Sequence, residues 1–315
     1  MKHGSFTQSV KEEITSLEYS NEEYLPLLSG FIKTNGVLSI SSKKLILSLQ
    51  TENAKVAKLI YKALVSVFNV SPHFSYARKM KLDKGVVYHL SLDEKVDEIL
   101  RVLQIADGFE SLTPREILED KGARFFICGV FLASGSVNSP ASNNYHLQMI
   151  VSSEEDAKFL IRVLNRFKHE KNMDFKYISR RNKYVVYLKK ADQITVFLAL
   201  INASFAMLEF ENSRIEKDYI NSENRYQICY NANFQKTIQK ANEQIEDIKI
   251  IDKKKGLIHL SEKEQKLALA RLNNPEAPLS TLVELLKEKN IEISKSGASR
   301  IFNKFHDLAI SLRLK

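Results

Sequence analysis

At 315 residues, 44% apolar and 27% charged, the chain has the makeup of a soluble globular protein of two or three domains, each able to bury its own core. Lys and Arg outnumber Asp and Glu by 47 to 38, and the +9 excess makes a polyanion the first partner to consider, ahead of charge that is merely solvated. Two distant cysteines, Cys128 and Cys229, exclude a disulfide framework and a multi-cysteine zinc site, and the seven scattered histidines offer no pair at metal-ligand spacing.

In chain order, the opening MKHGSFTQSVKEEI lacks the long apolar core of a signal peptide, and no 18-residue apolar run follows, so a cytoplasmic protein without a membrane span is expected. Leu27, Leu28, Phe31 and Ile32 then fall at i, i+1, i+4 and i+5, which paints one face of a helix. Pro26 sits early in that helix and either kinks it or marks its first turn. Gly36 is placed to end it, because glycine accepts the left-handed conformation. Leu45, Leu47 and Leu49 alternate as a half-buried strand, residues 55–68 have helical periodicity, and Phe74-Ser75-Tyr76 and Val86-Val87-Tyr88 precede another helix-like segment.

The same series then returns. Residues 28–36 line up with 127–135 at an offset of 99, so that Gly135 repeats Gly36. Leu47 and Leu49 match Leu147 and Met149, Phe74 and Tyr76 match Phe175 and Tyr177, and Val86-Val87-Tyr88 matches Val185-Val186-Tyr187. Residues 154–167 supply the second mid-half helix. Each half reads as helix, two strands, helix, two strands, helix. The expected fold class is α+β, a pseudo-two-fold pair of αββαββα halves with antiparallel sheets, at residues 1–118 and 119–220.

From about residue 221 the pattern turns helical. Residues 235–251 read as a connecting helix within 221–256, closed by Asp252-Lys253-Lys254-Lys255-Gly256, which is either a solvated linker or a phosphate contact. The remainder, 257–315, reads as an all-α unit. Ser261-Glu262-Lys263-Glu264 has capping-box form and opens a helix that Asn273-Asn274-Pro275 stops. Ser280 or Thr281 caps a short helix over 282–289, a turn covers 290–293, and Ser294 caps the last helix. At about 100° per residue, Lys295, Ser296, Ser299, Arg300 and Asn303 fall on one side of that helix, and Ala298, Ile301, Phe302, Phe305, Leu308, Ala309 and Leu312 on the other. Two helices joined by a short turn fit a helix-turn-helix. Ser294, Lys295, Ser296, Ser299, Arg300, Asn303 and Lys304 are the candidate DNA-binding residues, with Arg300 suited to a bidentate contact to guanine and Lys295 and Lys304 to phosphates. A plain three-helix bundle with a wet face is the alternative.

The two nine-residue segments resemble the LAGLIDADG motif of homing endonucleases. That resemblance implies two helices packed together between the halves, with small residues at the second and third positions (Ser29 and Gly30, Cys128 and Gly129) letting the backbones approach. It also implies two four-stranded antiparallel sheets that saddle a DNA duplex, the alternative being an ordinary duplication with no DNA role. In cleaving members the eighth position is acidic, and the two carboxylates hold divalent metal beside the scissile phosphates. Here those positions are Asn35 and Ser134, and the sixth positions are Lys33 and Leu132, so no carboxylate is offered. No catalytic residue, metal or cofactor is expected, and the chain is read as a non-enzyme.

Degenerate halves followed by such a tail resemble the WhiA family of bacterial proteins over nearly the whole chain. The most specific stretches are residues 129–138, Asn224-Arg225 with Ala232-Asn233, residues 244–248, and Ser294-Lys295-Ser296-Gly297. The resemblance implies a non-enzymatic DNA-binding role tied to cell division, chromosome segregation and transcription regulation, in the cytoplasm at the nucleoid. The implied partners are double-stranded DNA and proteins of the division or transcription machinery. A scaffold for division proteins whose tail alone touches DNA is the alternative, and a metal-dependent endonuclease a remote third. The internal duplication already supplies two-fold symmetry, so a monomer suffices. Ile228 stands where an asparagine is common in the family, and the loop at 139–144 is short and hydrophilic, so no target sequence carries over.

Overall fold

The alternating leucines and the periodic apolar faces become two sheets and their covering helices in the computed structural model, which describes residues 5–41, 43–78, 85–105, 120–142, 144–167 and 173–313. The expected boundary at residue 118, and His3 and His169, lie outside the described residues. The chain divides between Lys217 and Asp218 into two units, each described by itself.

The first unit opens with a helix that the sequence reading left out, α1 (Phe6–Thr15), capped by Ser5 and burying Phe6, Val10 and Ile14. The first half proper follows: α2 (Asn21–Asn35), β1 (Val37–Ser41), β2 (Lys44–Thr51), α3 (Ala54–Phe68), β3 (His73–Arg78), β4 (Val86–Leu92) and α4 (Val96–Val102). The second half repeats the order with α5 (Asp120–Ser134), β5 (Ser136–Val137), β6 (Leu147–Val151), α6 (Glu154–Asn165), β7 (Lys176–Arg180), β8 (Lys183–Leu188) and α7 (Ala191–Leu200). Each half forms a four-stranded antiparallel sheet, in the orders β1-β2-β4-β3 and β5-β6-β8-β7. Leu47, Leu49, Leu147 and Met149 point from these sheets into one core with Leu27, Leu28, Phe31, Ile127 and Phe131.

One open alternative closes, and two local expectations need correction. Pro26 lies inside α2 past its first turn, buried, where the missing N–H leaves the Glu22 carbonyl without its intrahelical donor. Gly36 ends α2 in extended backbone (φ −67°, ψ 141°) that any residue adopts, and among the described glycines only Gly256 has positive φ. At Gly135 the need is space: a Cβ there would lie 2.2 Å from Cδ2 of the Phe131 ring. The late landmarks of the repeat also shift. Strand pairing opposes Leu49 to Leu90 and Met149 to Val186, and then Leu90 to Phe74 and Val186 to Tyr177, so Phe74 corresponds to Tyr177 and Tyr88 to Tyr184. Two differences in chain length are the cause: β7 starts three residues later after the start of α6 than β3 does after the start of α3, which moves Phe74, and the first hairpin is the longer, which moves Tyr88. Residues 79–85 connect β3 to β4, whereas β7 and β8 are joined by Arg181 and Asn182 alone, both left-handed (φ 51° and 58°) as a two-residue turn of the right twist requires.

A long helix, α8 (Ser204–Lys255), carries the division between the units, and it includes the lysine run for which a solvated linker or a phosphate contact was expected, so the linker alternative falls. The N-terminus of α8 is capped by Glu13, whose carboxylate accepts from the amides of Phe205 (2.7 Å) and Ala206 (2.9 Å). In the second unit Ile248 and Ile251 of α8 pack with α9 (Glu262–Asn273), α10 (Leu279–Glu288) and α11 (Lys295–Arg313) around Leu267, Leu282, Leu286, Phe302 and Phe305. The Ser261–Glu264 capping box opens α9 as expected, but α10 begins at Leu279 with Pro278 as its cap residue, so Ser280 and Thr281 belong to its first turn. His306 Nδ1 lies 2.8 Å from the buried carboxylate of Asp247, which ties α11 to α8. Among the described residues no helix is long and apolar enough to cross a membrane.

Candidate nucleic-acid interface

The two motif helices meet through their third positions. A Cβ on Gly30 would lie 2.2 Å from the Phe126 carbonyl oxygen, and one on Gly129 would lie 2.0 Å from the Leu27 carbonyl oxygen, so each backbone occupies the space a side chain would need. The second positions have another task. The Ser29 hydroxyl donates to the Leu103 carbonyl (3.1 Å) and the Cys128 thiol to that of Ile201 (3.8 Å), matched contacts at the ends of α4 and α7. Burial pushes the Cys128 thiol up to about 12, so it is an inert packing group.

At the C-terminal ends of these helices Asn35 and Ser134 line one polar cavity of about 790 Å³. They hold equivalent places. The Asn35 side-chain oxygen accepts from the Gln50 amide (2.9 Å), and the Ser134 hydroxyl accepts from the Ile150 amide (3.0 Å). Each thus clasps its helix end to the second strand of its own half, β2 or β6. Lys11 of α1 reaches the same cavity and donates to the Leu132 carbonyl (3.0 Å) near the end of α5. Burial lowers its ammonium to about 8, with the nearby Glu52 carboxylate pulling the other way. The donor set does not fit a divalent metal: the Asn35 oxygen and Ser134 hydroxyl are engaged by backbone amides, Glu52 is the one carboxylate among the described residues lining the cavity, and a lysine stands beside it. Lys33 turns away and lies 3.5 Å from Asp156, both side chains largely buried. Lys11 went unread in the sequence, although Ser5 followed by Phe6, Val10 and Ile14 at four-residue spacing is a legible capped helix.

The sheet faces turned from the helices differ between the halves. The first presents Ser48, Ser91, Gln50, His89 and Ser75, with Lys44 lying 3.5 Å from Asp93. The second presents Lys176, Arg180 and Lys183, and Lys189 lies 5.3 Å over the Tyr187 ring. Among the described residues of these faces, the positive charge a polyanion would meet comes mainly from the second half.

In the second unit Ser294 caps α11 by accepting from the Gly297 amide (3.1 Å). Ser294, Lys295, Ser296, Ser299, Arg300, Asn303 and Lys304 are all exposed, while Ala298, Phe302, Phe305, Ala309 and Leu312 are buried and Ile301 and Leu308 half-buried. Lys304 stands apart from the other candidates, because its ammonium lies 2.7 Å from the Glu264 carboxylate of α9. Ser294 and Ser296 share a hydroxyl contact of 3.0 Å.

Sequence reasoning missed Arg271 of α9, which is 2% exposed. Its guanidinium donates to the Gln244 side-chain oxygen (3.0 Å) and the Ala277 carbonyl (2.6 Å) and lies 5.6 Å over the Phe302 ring. Burial pulls its proton affinity down, though an arginine stays charged. It also missed Thr237 and Lys240 of α8, which share a cavity with Lys295, Ser296 and Ser299. No local signal marks them, since the chain brings them there from more than fifty residues away.

Comparison with known proteins matches all three parts. Residues 22–106 match the family described as WhiA N-terminal LAGLIDADG-like domain, 123–219 the WhiA LAGLIDADG-like domain, and 224–309 the WhiA C-terminal HTH domain. A probable cell division protein WhiA of Lactobacillus acidophilus is 39% identical over 98% of this chain and 99% of its own. That of Enterococcus faecalis is 38% identical over 99% of each. The solved structure described as full-length DUF199/WhiA from Thermatoga maritima is 24% identical, covers 98% of this chain and 99% of that one, and superposes with a TM-score of 0.57, a likeness of fold.

Proposed function

The chain belongs to the WhiA family, and on that premise we propose that it is a non-enzymatic, DNA-binding protein of bacterial cell division, with α10, the turn and α11 as its reader of duplex DNA. The observation that carries this reading is the division of α11 into a buried apolar face and an exposed face of Lys295, Ser296, Ser299, Arg300 and Asn303, opened by a side-chain cap. In this reading Arg300 contacts a base edge, Lys295 a phosphate, and the hydroxyls either. The engaged donors at Asn35 and Ser134 support binding without cleavage. Roles in transcription regulation and chromosome segregation, at the nucleoid in the cytoplasm, follow as the finer form of the proposal. A second reading, a scaffold for a protein of the division machinery, is favoured by a ladder of exposed rings on α8, in which Tyr226 stacks on Tyr230 (6.5 Å) and Tyr230 on Phe234 (6.4 Å).

In the full-length chain Arg300→Ala is expected to weaken duplex binding by about 1–3 kcal/mol and to relax preference at one base pair, as measured by anisotropy with a panel of single-position variants of a bound site. An unchanged affinity and an unchanged preference would remove α11 as the reader.

A further inference from the structure

The second unit holds a cavity of about 790 Å³ bounded by α8, the start of α10 and the start of α11. Three cations line it, Lys240, Arg271 and Lys295, and no carboxylate is among its lining residues. Hydroxyls of Thr237, Ser280 and Ser296 share the wall. The N-terminus of α10 opens here with Pro278 as its cap residue, which makes no side-chain cap, so its first-turn amides present unneutralised positive charge.

Arg271 is the informative member. It is 98% removed from solvent, as its 2% exposure gives, and its hydrogen bonds run to neutral oxygens of Gln244, Asn274 and Ala277. A buried guanidinium without a carboxylate is costly unless another anion neutralises it. Two lysines and five hydroxyl residues on the same wall (Thr237, Ser280, Ser294, Ser296 and Ser299) make that anion a phosphate oxyanion. Resting on the DNA-binding reading, we propose that this cavity is a phosphate site for the duplex backbone, in which Lys240 and Thr237 of α8 act together with Lys295 and Ser296 of α11. The contact comes from outside the helix-turn-helix and fixes the reader's register on the duplex while carrying no sequence information.

Lys240 is exposed, so Lys240→Gln leaves the fold intact. The full-length chain and this variant are titrated with duplex at several salt concentrations, and separately with inorganic phosphate while the backbone amides of Thr237 and Ser296 are followed by NMR. The expected result is a several-fold weaker duplex affinity in the variant, equal across sequences, and a log–log salt slope smaller by about 1. Phosphate shifting those amides in the wild type but not the variant, with duplex affinity untouched, would assign the same oxyanion site to free phosphate. Neither effect, in a chain that still binds duplex through Arg300, would overturn the site and leave the proposed function standing.

Discussion

Gly129→Val is expected to unfold the first unit. The Leu27 carbonyl oxygen would lie 2.0 Å from the new Cβ and the Phe31 amide nitrogen 2.8 Å, and neither atom is a side-chain tip that can swing aside. They are the backbone of α2, held in place by buried Leu27, Leu28, Phe31 and Ile32. Overpacking in an ordinary core costs about 1–3 kcal/mol because side chains give way. Here two helices must separate, so a loss above about 3 kcal/mol is expected, a large part of the roughly 5–15 kcal/mol that holds a domain folded. Hydrogen exchange on the full-length chain checks it: protection is lost across α2, α5 and both sheets and kept in α9 to α11. Because Gly30 and Gly129 share one crossing, alanine at both is expected to cost less than the two single changes added together. Protection in Gly129→Val equal to the wild type would mean that the helices do not cross this closely.

Arg271→Ala is expected to cost the second unit about 3 kcal/mol. The change removes the donor to Gln244, Asn274 and Ala277 and the cation over Phe302, leaving a void and buried oxygens without partners. Arg271→Lys is not expected to rescue it, since one ammonium cannot span acceptors that a planar fork reaches together. Denaturant unfolding followed by hydrogen exchange in α9 to α11 separates this from any effect on the first unit. A variant as stable as the wild type would show that the guanidinium is a passenger in the core.

Both positions show what a sequence discloses. The motif glycines were legible through the resemblance of the two segments to a paired helix motif, although only the third positions lie at the crossing, and the apolar face of α11 was legible because seven side chains recur at helical spacing. The capping box at Ser261 and Glu264 and the cap at Ser294 were legible for the same reason, since each is settled within four residues. Gly36 was read for its conformational freedom, yet its backbone is extended; its position told the truth and its reason did not. The linker alternative for the lysine run at 253–255 rested on charge suggesting solvent, but a helix solvates its outer face equally well, and Lys254 donates to the Leu312 carbonyl. Thr237, Lys240 and Arg271 could not be read together, because only the packing of α8 against α9 and α11 brings them to one wall. The stretch at residues 244–248, distinctive as text, gains a physical account: Gln244 holds Arg271, Asp247 holds His306, and Ile248 fills the core.

The most direct measurement is an equilibrium titration of the full-length chain with labelled duplex from about 50 to about 200 mM salt, with Mg²⁺ present and the same samples run afterwards on a denaturing gel. Affinity is expected to fall linearly on logarithmic axes as counterion release weakens, while every strand stays intact with or without chelator. Absence of binding at the lowest salt, or strand scission that a chelator abolishes, would contradict a protein that holds DNA without cutting it.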